Sequence, residues 1–344
     1  MKKHRIGVIG AGAIAQFCHI PGYAAASNCE LTAIADPEEE CLKMVRDAGW
    51  RFEREYRGHR EMLAAEKLDA VSVCTPNKFH AEIAIDCLNA GCDILLEKPI
   101  AMNMTEAMRI RDAAQKNNRR VMVGFSHRFN DLNQAAKKAI GDGCIGRPYM
   151  IRVRFAHSGP WPGWAKTDWF YNPQMAGGGA LMDMAVHAFD LIQWYIGPVK
   201  TVSALTETLR KDIAVDDNVA AWVRFQDRCM GYIDCGWTST AGFSGVEIMG
   251  DNGYICVDYN DDAAIMHHGV CTPDGKREMT ECTLAKGYEM PPWGREMAYF
   301  TSLLDSNASF SPDLNSGIET LKLVLAAYKS SRTGQHIELN EVQL

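Results

Sequence analysis

The sequence predicts an α/β protein in two parts. Short parallel strands alternate with helices in the first part, and the second is an α+β unit built on a large, mostly antiparallel open sheet. Three observations carry this. Apolar runs at residues 5–9, 30–36, 68–74, 92–96 and 120–124 are separated by stretches of helical periodicity. A glycine-rich turn follows the first run at once. After Phe125 the pattern changes to long alternating segments at 148–156, 199–209, 218–238 and 245–259, with tight turns such as Asp251-Asn252-Gly253.

The first strand, 5–9, runs directly into Gly10-Ala11-Gly12-Ala13-Ile14-Ala15, which opens an apolar helix through Phe17 and Ile20. A strand, a turn of this kind and a helix make the dinucleotide-binding unit of a Rossmann fold, here with Ala in the third small position. Gly10 makes the bend, Gly12 admits the pyrophosphate, and Ala13 and Ile14 complete the phosphate-facing helix start. The next strand ends in Asp36. An acid there can accept hydrogen bonds from the adenosine ribose and would repel a 2′-phosphate, so NAD is expected over NADP. Asp36 can equally cap the helix after Pro37-Glu38-Glu39-Glu40.

The run at 68–74 stops at Thr75-Pro76-Asn77, and residues 79–90 are helical with Gly91 at the end. This loop, with His80, lies at the carboxyl end of a strand, where open parallel sheets bind ligands. His80 either contacts the cofactor or has a structural role. The run at 92–96 ends in Glu97-Lys98-Pro99, which delivers a lysine to the ligand crevice beside an acid, with proline fixing the chain behind it. An amphipathic helix at 104–117 and a strand at 120–124 close a six-strand domain. The domains expected are 1–124 for NAD(P) binding and 125–344 for substrate binding and oligomerisation.

In the second part, Phe125-Ser126-His127-Arg128-Phe129-Asn130 leads into a helix through Ile140, and Arg128 is a candidate substrate contact. One face of the open sheet should be covered by helices, and the other, rich in Val, Ile, Trp and Tyr, should be a subunit interface of a homodimer or homotetramer. A loop holding His157, Trp161, Trp164, Lys166, Asp168, Trp169, Phe170 and Tyr171 suits a polyhydroxylated ring, whose C–H faces stack on aromatics while its hydroxyls find acceptors. Trp164, Asp168 and Trp169 are its candidate contacts. The same aromatics could instead staple the loop to the core.

Gly177-Gly178-Gly179 then starts a helix carrying Asp183 and His187 one turn apart on one face. The bare glycine backbone would let a substrate approach, and a carboxylate that orients an imidazole is a general-base arrangement. Such a pair also occurs as a plain surface contact.

Composition narrows the function classes. The chain has 344 residues, 47% hydrophobic and 23% charged, with a formal net charge of -7, which argues against a nucleic-acid binder. The basic N-terminus, Met1-Lys2-Lys3-His4-Arg5, precedes an apolar run broken by glycines, so it reads as a strand entering a turn and not as a signal peptide. No segment reaches the roughly 18 uninterrupted apolar residues of a membrane span, and a cytoplasmic location is expected. Twelve cysteines show no two-residue spacing, which points to buried free thiols and no metal site.

Taken together, Gly10-Ala11-Gly12 through Ala15, Ala35-Asp36-Pro37, Thr75-Pro76-Asn77 with His80, Glu97-Lys98-Pro99, and Gly177-Gly178-Gly179 with Asp183 and His187 resemble the glucose-fructose oxidoreductase / inositol dehydrogenase / MocA family. The resemblance runs to about Leu339, where residues 332–339 look like the family's closing strand. It implies that Lys98, Asp183 and His187 are the catalytic set and that Glu97 and Lys98 also face the cofactor. It further implies hydride transfer between nicotinamide and a secondary hydroxyl of a sugar, sugar derivative or inositol. Two other readings remain: a redox-neutral enzyme that retains NAD while cleaving or isomerising a glycoside, and a cofactor-binding sensor without catalysis.

Overall fold

The computed structural model describes residues 3–239, 242–271, 274–306 and 308–340. Met1 and Lys2 of the basic N-terminus lie outside the described residues. The chain divides into two compact units. The first is Met1–Ser126 with Trp161–Gly177 and Met290–Leu321, and the second is His127–Pro160 with Gly178–Glu289 and Lys322–Leu344.

The first unit holds a six-stranded sheet of β1 (His4–Ile9), β2 (Cys29–Ala35), β3 (Arg54–Tyr56), β4 (Ala70–Val73), β5 (Asp93–Leu96) and β6 (Val121–Val123). All neighbours are parallel, in the order β3-β2-β1-β4-β5-β6. This doubly wound order places ligands at the carboxyl edge, where the strand order reverses between β1 and β4. The strands β4 and β5 are buried on both faces, as parallel strands covered by helices must be. The connecting helices are α1 (Ile20–Ala25), α2 (Glu39–Asp47), α3 (His59–Ala65), α4 (His80–Asn89) and α5 (Met104–Asn117). Strand β3 has no counterpart among the apolar runs of the sequence. It is three residues long at the sheet edge, with Arg54 and Glu55 exposed, so it carries no apolar signal.

Beyond β6 come α6 (Asp131–Gly141), β7 (Pro148–Ala156), α7 (Pro173–Ala176) and α8 (Val186–Ile196). The strands β8 (Val199–Glu207), β9 (Asn218–Phe225), β10 (Met230–Gly236), β11 (Gly245–Gly250), β12 (Gly253–Asp258), β13 (Ala263–Cys271) and β14 (Arg277–Lys286) follow. The chain ends with α9 (Pro292–Ser302), α10 (Leu314–Thr333) and β15 (Ile337–Glu338).

The second unit is built on a nine-stranded sheet in the order β14-β13-β12-β11-β7-β10-β9-β8-β15. Its neighbours are antiparallel except β7 and β10. Alternation along β7 sends Ile151, Val153 and Phe155 to the face packed on α8 and leaves Met150, Arg152 and Arg154 on the other. The register sets Tyr232 beside both Trp222 and Arg152, and Arg152 beside Glu247, on that second face. Trp222 is 52% exposed there, and Leu205 58%.

The alternating stretches 218–238 and 245–259 each fold as a hairpin, the second about the expected Asp251-Asn252-Gly253 turn. Other sequence expectations are corrected. β13 and β14 carry His, Thr, Glu and Lys enough to hide their alternation. The closing strand is only Ile337–Glu338, because α10 continues through Arg332 to Thr333. The eleven cysteines whose side chains are described are free, but Cys282 is exposed and Cys18, Cys41, Cys144 and Cys256 are half-buried. No described helix is long and apolar enough to cross a membrane.

Candidate functional site

In the first unit the glycine turn is shaped by what it touches. Gly10 has φ +92°, and a Cβ there would lie 2.6 Å from the carbonyl oxygen of Cys74, so only glycine lets the turn pass the end of β4. A Cβ at Gly12 would meet nothing within 4 Å. The helix it opens passes through Ala13 and Ile14, is π-wound over Ala15–His19, and continues as α1.

The Asp36 carboxylate is 9% exposed. Its Oδ2 accepts the Ala11 N–H at 2.7 Å and its Oδ1 accepts the Glu38 N–H at 2.8 Å. Asp36 therefore both braces the glycine turn and caps the entry to α2. A carboxylate has about four acceptor positions, so two remain for ribose hydroxyls.

Along the same carboxyl edge, Thr75 Oγ1 is buried with no hydrogen-bond partner among the described residues. An open approach at Gly12, backbone amides at a helix start and an unsatisfied buried hydroxyl fit a dinucleotide. Asn77 is turned elsewhere, its Nδ2 donating to the Ala176 carbonyl at 2.7 Å. His80 is buried, with Nδ1 2.7 Å from the Pro99 carbonyl and Nε2 2.8 Å from that of Thr75. It ties the loop after β4 to the loop after β5, a structural task. Burial pushes its pKa below the ordinary value, although both neighbours are acceptors. Glu97 is buried and Lys98 half-buried at the end of β5.

Residues Trp161 to Tyr171 of the aromatic loop belong to this unit, and His157 to the second. Trp169 stacks on Phe170 at 3.9 Å, Trp164 meets Phe170 edge-on at 5.1 Å, and the Tyr171 hydroxyl bonds the Trp161 carbonyl. Lys166 lies over the ring of Phe17, 6.0 Å from its centroid. The rings thus staple the loop to itself and to the helix after the glycine turn. Trp164 is still 45% exposed, and Asp168 is exposed.

In the second unit Asp183 lies in a π-wound segment, Leu181–Ala185, and His187 in the first turn of α8. Both are half-buried. The glycines before them are not open to a substrate as the sequence suggested. A Cβ at Gly179 would lie 1.9 Å from the Asp216 carbonyl oxygen, and one at Gly178 would lie 2.1 Å from the Tyr328 hydroxyl. Their bareness admits the protein's own chain.

Asp216 is what starts this helix. Its carboxylate accepts from Gly179 N at 3.0 Å, Leu181 N at 2.8 Å and the Tyr328 hydroxyl at 2.7 Å. These are orphan amides of a helix start, satisfied by a residue distant in sequence. Burial raises the Asp216 pKa, against the opposing effect of these hydrogen bonds. No local pattern could have pointed to it.

His127 was also missed. Its ring lies 4.8 Å from that of His187, edge-on, and stacks on Phe155 at 4.8 Å. Neighbouring Arg128, the expected substrate contact, is buried in a two-pronged pair with Asp190 on α8, at 2.7 and 2.6 Å. That clamp holds the turn carrying His127 against the helix carrying His187. Burial nevertheless raises the Asp190 pKa, with Arg128 opposing. Among the described residues one trio, His59, Glu82 and Asp86, has metal-like spacing, and Arg60 already pairs with both of its acids.

A doubly wound sheet with this glycine turn, joined in one chain to a second unit on an antiparallel open sheet, defines a dinucleotide-dependent oxidoreductase. Residues 4–125 match the model of the oxidoreductase family with an NAD-binding Rossmann fold, and residues 133–256 match the GFO/IDH/MocA C-terminal domain. The chain belongs to the GFO/IDH/MocA family of NAD-binding oxidoreductases.

Among its relatives, D-glucoside 3-dehydrogenase of Escherichia coli (strain K12) is 32% identical over 202 residues, 58% of this chain and 56% of that protein. Myo-inositol 2-dehydrogenase of Thermotoga maritima is 29% identical over 261 residues, 74% of this chain and 75% of that protein. The solved structure of levoglucosan dehydrogenase in complex with NADH has the same fold, with a TM-score of 0.87 at 24% identity, covering 99% of this chain and 100% of that one.

Proposed function

We propose that the protein oxidises a secondary hydroxyl of a sugar, sugar derivative or inositol, or reduces the matching ketone, with Lys98, Asp183 and His187 as its catalytic set. The observation that carries this is the glycine turn braced by Asp36, in a chain whose relatives are named as dehydrogenases of a glucoside and of myo-inositol. Bound NAD supplies the hydride acceptor. Gly10, Gly12, Ala13, Ile14 and Thr75 would line its pyrophosphate and nicotinamide side. Asp36 would take the ribose hydroxyls, which favours NAD over NADP.

His187 takes the hydroxyl proton at a ring nitrogen, and Asp183 favours the imidazolium that results. The edge-on ring of His127 limits how the His187 imidazole can turn. Lys98 donates a hydrogen bond to the same oxygen and stabilises its developing negative charge. Trp164 and Asp168 supply an exposed ring face and an acceptor suited to a polyol.

The test is NAD reduction across a panel of inositols, hexoses and glycosides, repeated with Lys98→Ala. The variant should lose at least about a hundredfold in turnover, the order for a positioned catalytic group, while NADH affinity changes less. An active panel member turned over equally by Lys98→Ala would reject the assignment.

The exposed face of the nine-stranded sheet supports a homo-oligomer. Its Trp222, Leu205, Met230 and Met279 are each more than a third exposed, as suits burial against a second copy.

A further inference from the structure

We propose that a buried hydrogen-bond chain, Tyr23 to Ser72 to His19 to Glu97, is the positioning device for Lys98. The inference rests on the reading of Lys98 as the group that binds the reacting oxygen. Tyr23 is on α1, His19 at the end of the π-wound turn before it, Ser72 in the middle of β4, and Glu97 just after β5. All four are buried.

The Tyr23 hydroxyl lies 2.6 Å from Ser72 Oγ, Ser72 Oγ 3.0 Å from His19 Nδ1, and His19 Nε2 2.8 Å from Glu97 Oε1. With Glu97 as the carboxylate and His19 as the neutral imidazole, the last group only accepts, and this fixes the direction of every link. Nε2–H donates to Glu97, the Ser72 hydroxyl donates to Nδ1, and the Tyr23 hydroxyl donates to Ser72. Burial drives the Tyr23 pKa well up, so the phenol stays a donor.

The other oxygen of Glu97 accepts the backbone N–H of Lys98 at 3.2 Å. The chain therefore runs from the helix after the glycine turn to the backbone of the lysine. From the far side, His80 holds the Pro99 carbonyl. The carboxylate has room only because residue 124 is glycine, since a Cβ there would lie 2.8 Å from Glu97 Oε1. A buried polar chain of this length adds little net stability over apolar packing, because each link trades hydration for one hydrogen bond. What it does supply is a defined place for Glu97, and through it for Lys98.

The experiment compares His19→Leu, Gly124→Ala, His19→Gln and Lys98→Ala with the unaltered protein. Amide hydrogen exchange is followed in the peptide covering residues 96–102, a readout that needs no substrate. His19→Leu removes the donor to Glu97, and Gly124→Ala displaces the carboxylate without deleting a link. Each should speed exchange of the Lys98 amide roughly tenfold, the factor for about one lost hydrogen bond. His19→Gln keeps an N–H donor and should return exchange to within about twofold of the original.

With a substrate from the panel, His19→Leu and Gly124→Ala should lower kcat about ten- to a hundredfold, as misplacement of a catalytic group does, with KM and NADH affinity held within about threefold. Unchanged exchange in both variants overturns the proposal, as does faster exchange with unchanged kcat. Lys98→Ala separates the two readings. If it leaves turnover intact, the role of Lys98 falls, while the exchange result still reports whether the chain holds its backbone.

Discussion

Replacing Gly179 with alanine distinguishes two reasons for the glycines before the Asp183–His187 helix. If they keep a path open for substrate, the variant should fold normally and show a raised KM. The structure gives the other answer. The added Cβ would lie 1.9 Å from the Asp216 carbonyl oxygen and 2.8 Å from its backbone nitrogen. Ordinary contact needs about 3.4 Å or more, so backbone must move against backbone.

Overpacking of this kind costs about 1–3 kcal/mol. The displacement also strains the bonds from Ala180 N to the Asp216 carbonyl at 2.8 Å and from Gly179 N and Leu181 N to its carboxylate at 3.0 and 2.8 Å. Losing two of the three adds about 2 kcal/mol. A loss of about 3–5 kcal/mol is expected, read from urea unfolding followed by tryptophan fluorescence. Gly178→Ala is the internal comparison. There the Cβ meets the tip of the Tyr328 side chain and not backbone, so relief costs little more than the Tyr328 hydrogen bond to Asp216 and the loss should be smaller, about 1–2 kcal/mol. Equal stability of Gly179→Ala and the unaltered protein, with only KM raised, would refute the packing argument.

Further outcomes follow from other contacts. Arg128→Ala leaves Asp190 buried without its two-pronged partner and should cost about 3–5 kcal/mol at neutral pH. The Asp190 pKa is raised on folding, so its contribution to stability is fully present below the ordinary carboxylate range and is lost as pH rises through the folded value. The penalty of Arg128→Ala should therefore shrink as pH falls, and urea melts between neutral and mildly acid pH check this. Asp36→Ser should weaken NADH binding and narrow the preference over NADPH, measured by cofactor fluorescence. It should also lower stability by about 1 kcal/mol, because a single hydroxyl oxygen cannot replace both carboxylate oxygens that accept from the Ala11 and Glu38 amides. Trp222→Glu on the exposed sheet face should shift the protein toward monomer in light scattering, and an unchanged mass would exclude that face as the interface.

What the sequence determined by itself was whatever is written over short distances. Turn chemistry at Gly10-Ala11-Gly12, the acid closing β2, the lysine after β5 and the alternation of β7 to β12 each depend on a few neighbouring residues, so the two sheets and the cofactor edge were legible. Local pattern failed where an element is brief or polar. Arg54–Tyr56 is a strand only because β2 offers it an edge, and β13 and β14 pair through backbone groups that polar side chains do not advertise.

The tertiary structure alone decided why certain residues are what they are. Gly178 and Gly179 answer to Tyr328 and Asp216, His187 to the ring of His127, Arg128 to Asp190, and Glu97 to His19, partners separated in every case by between 37 and 150 residues. A buried charge or a helix start needs its hydrogen bonds satisfied from whichever segment folding brings near. Nothing at the residue itself records which segment that is.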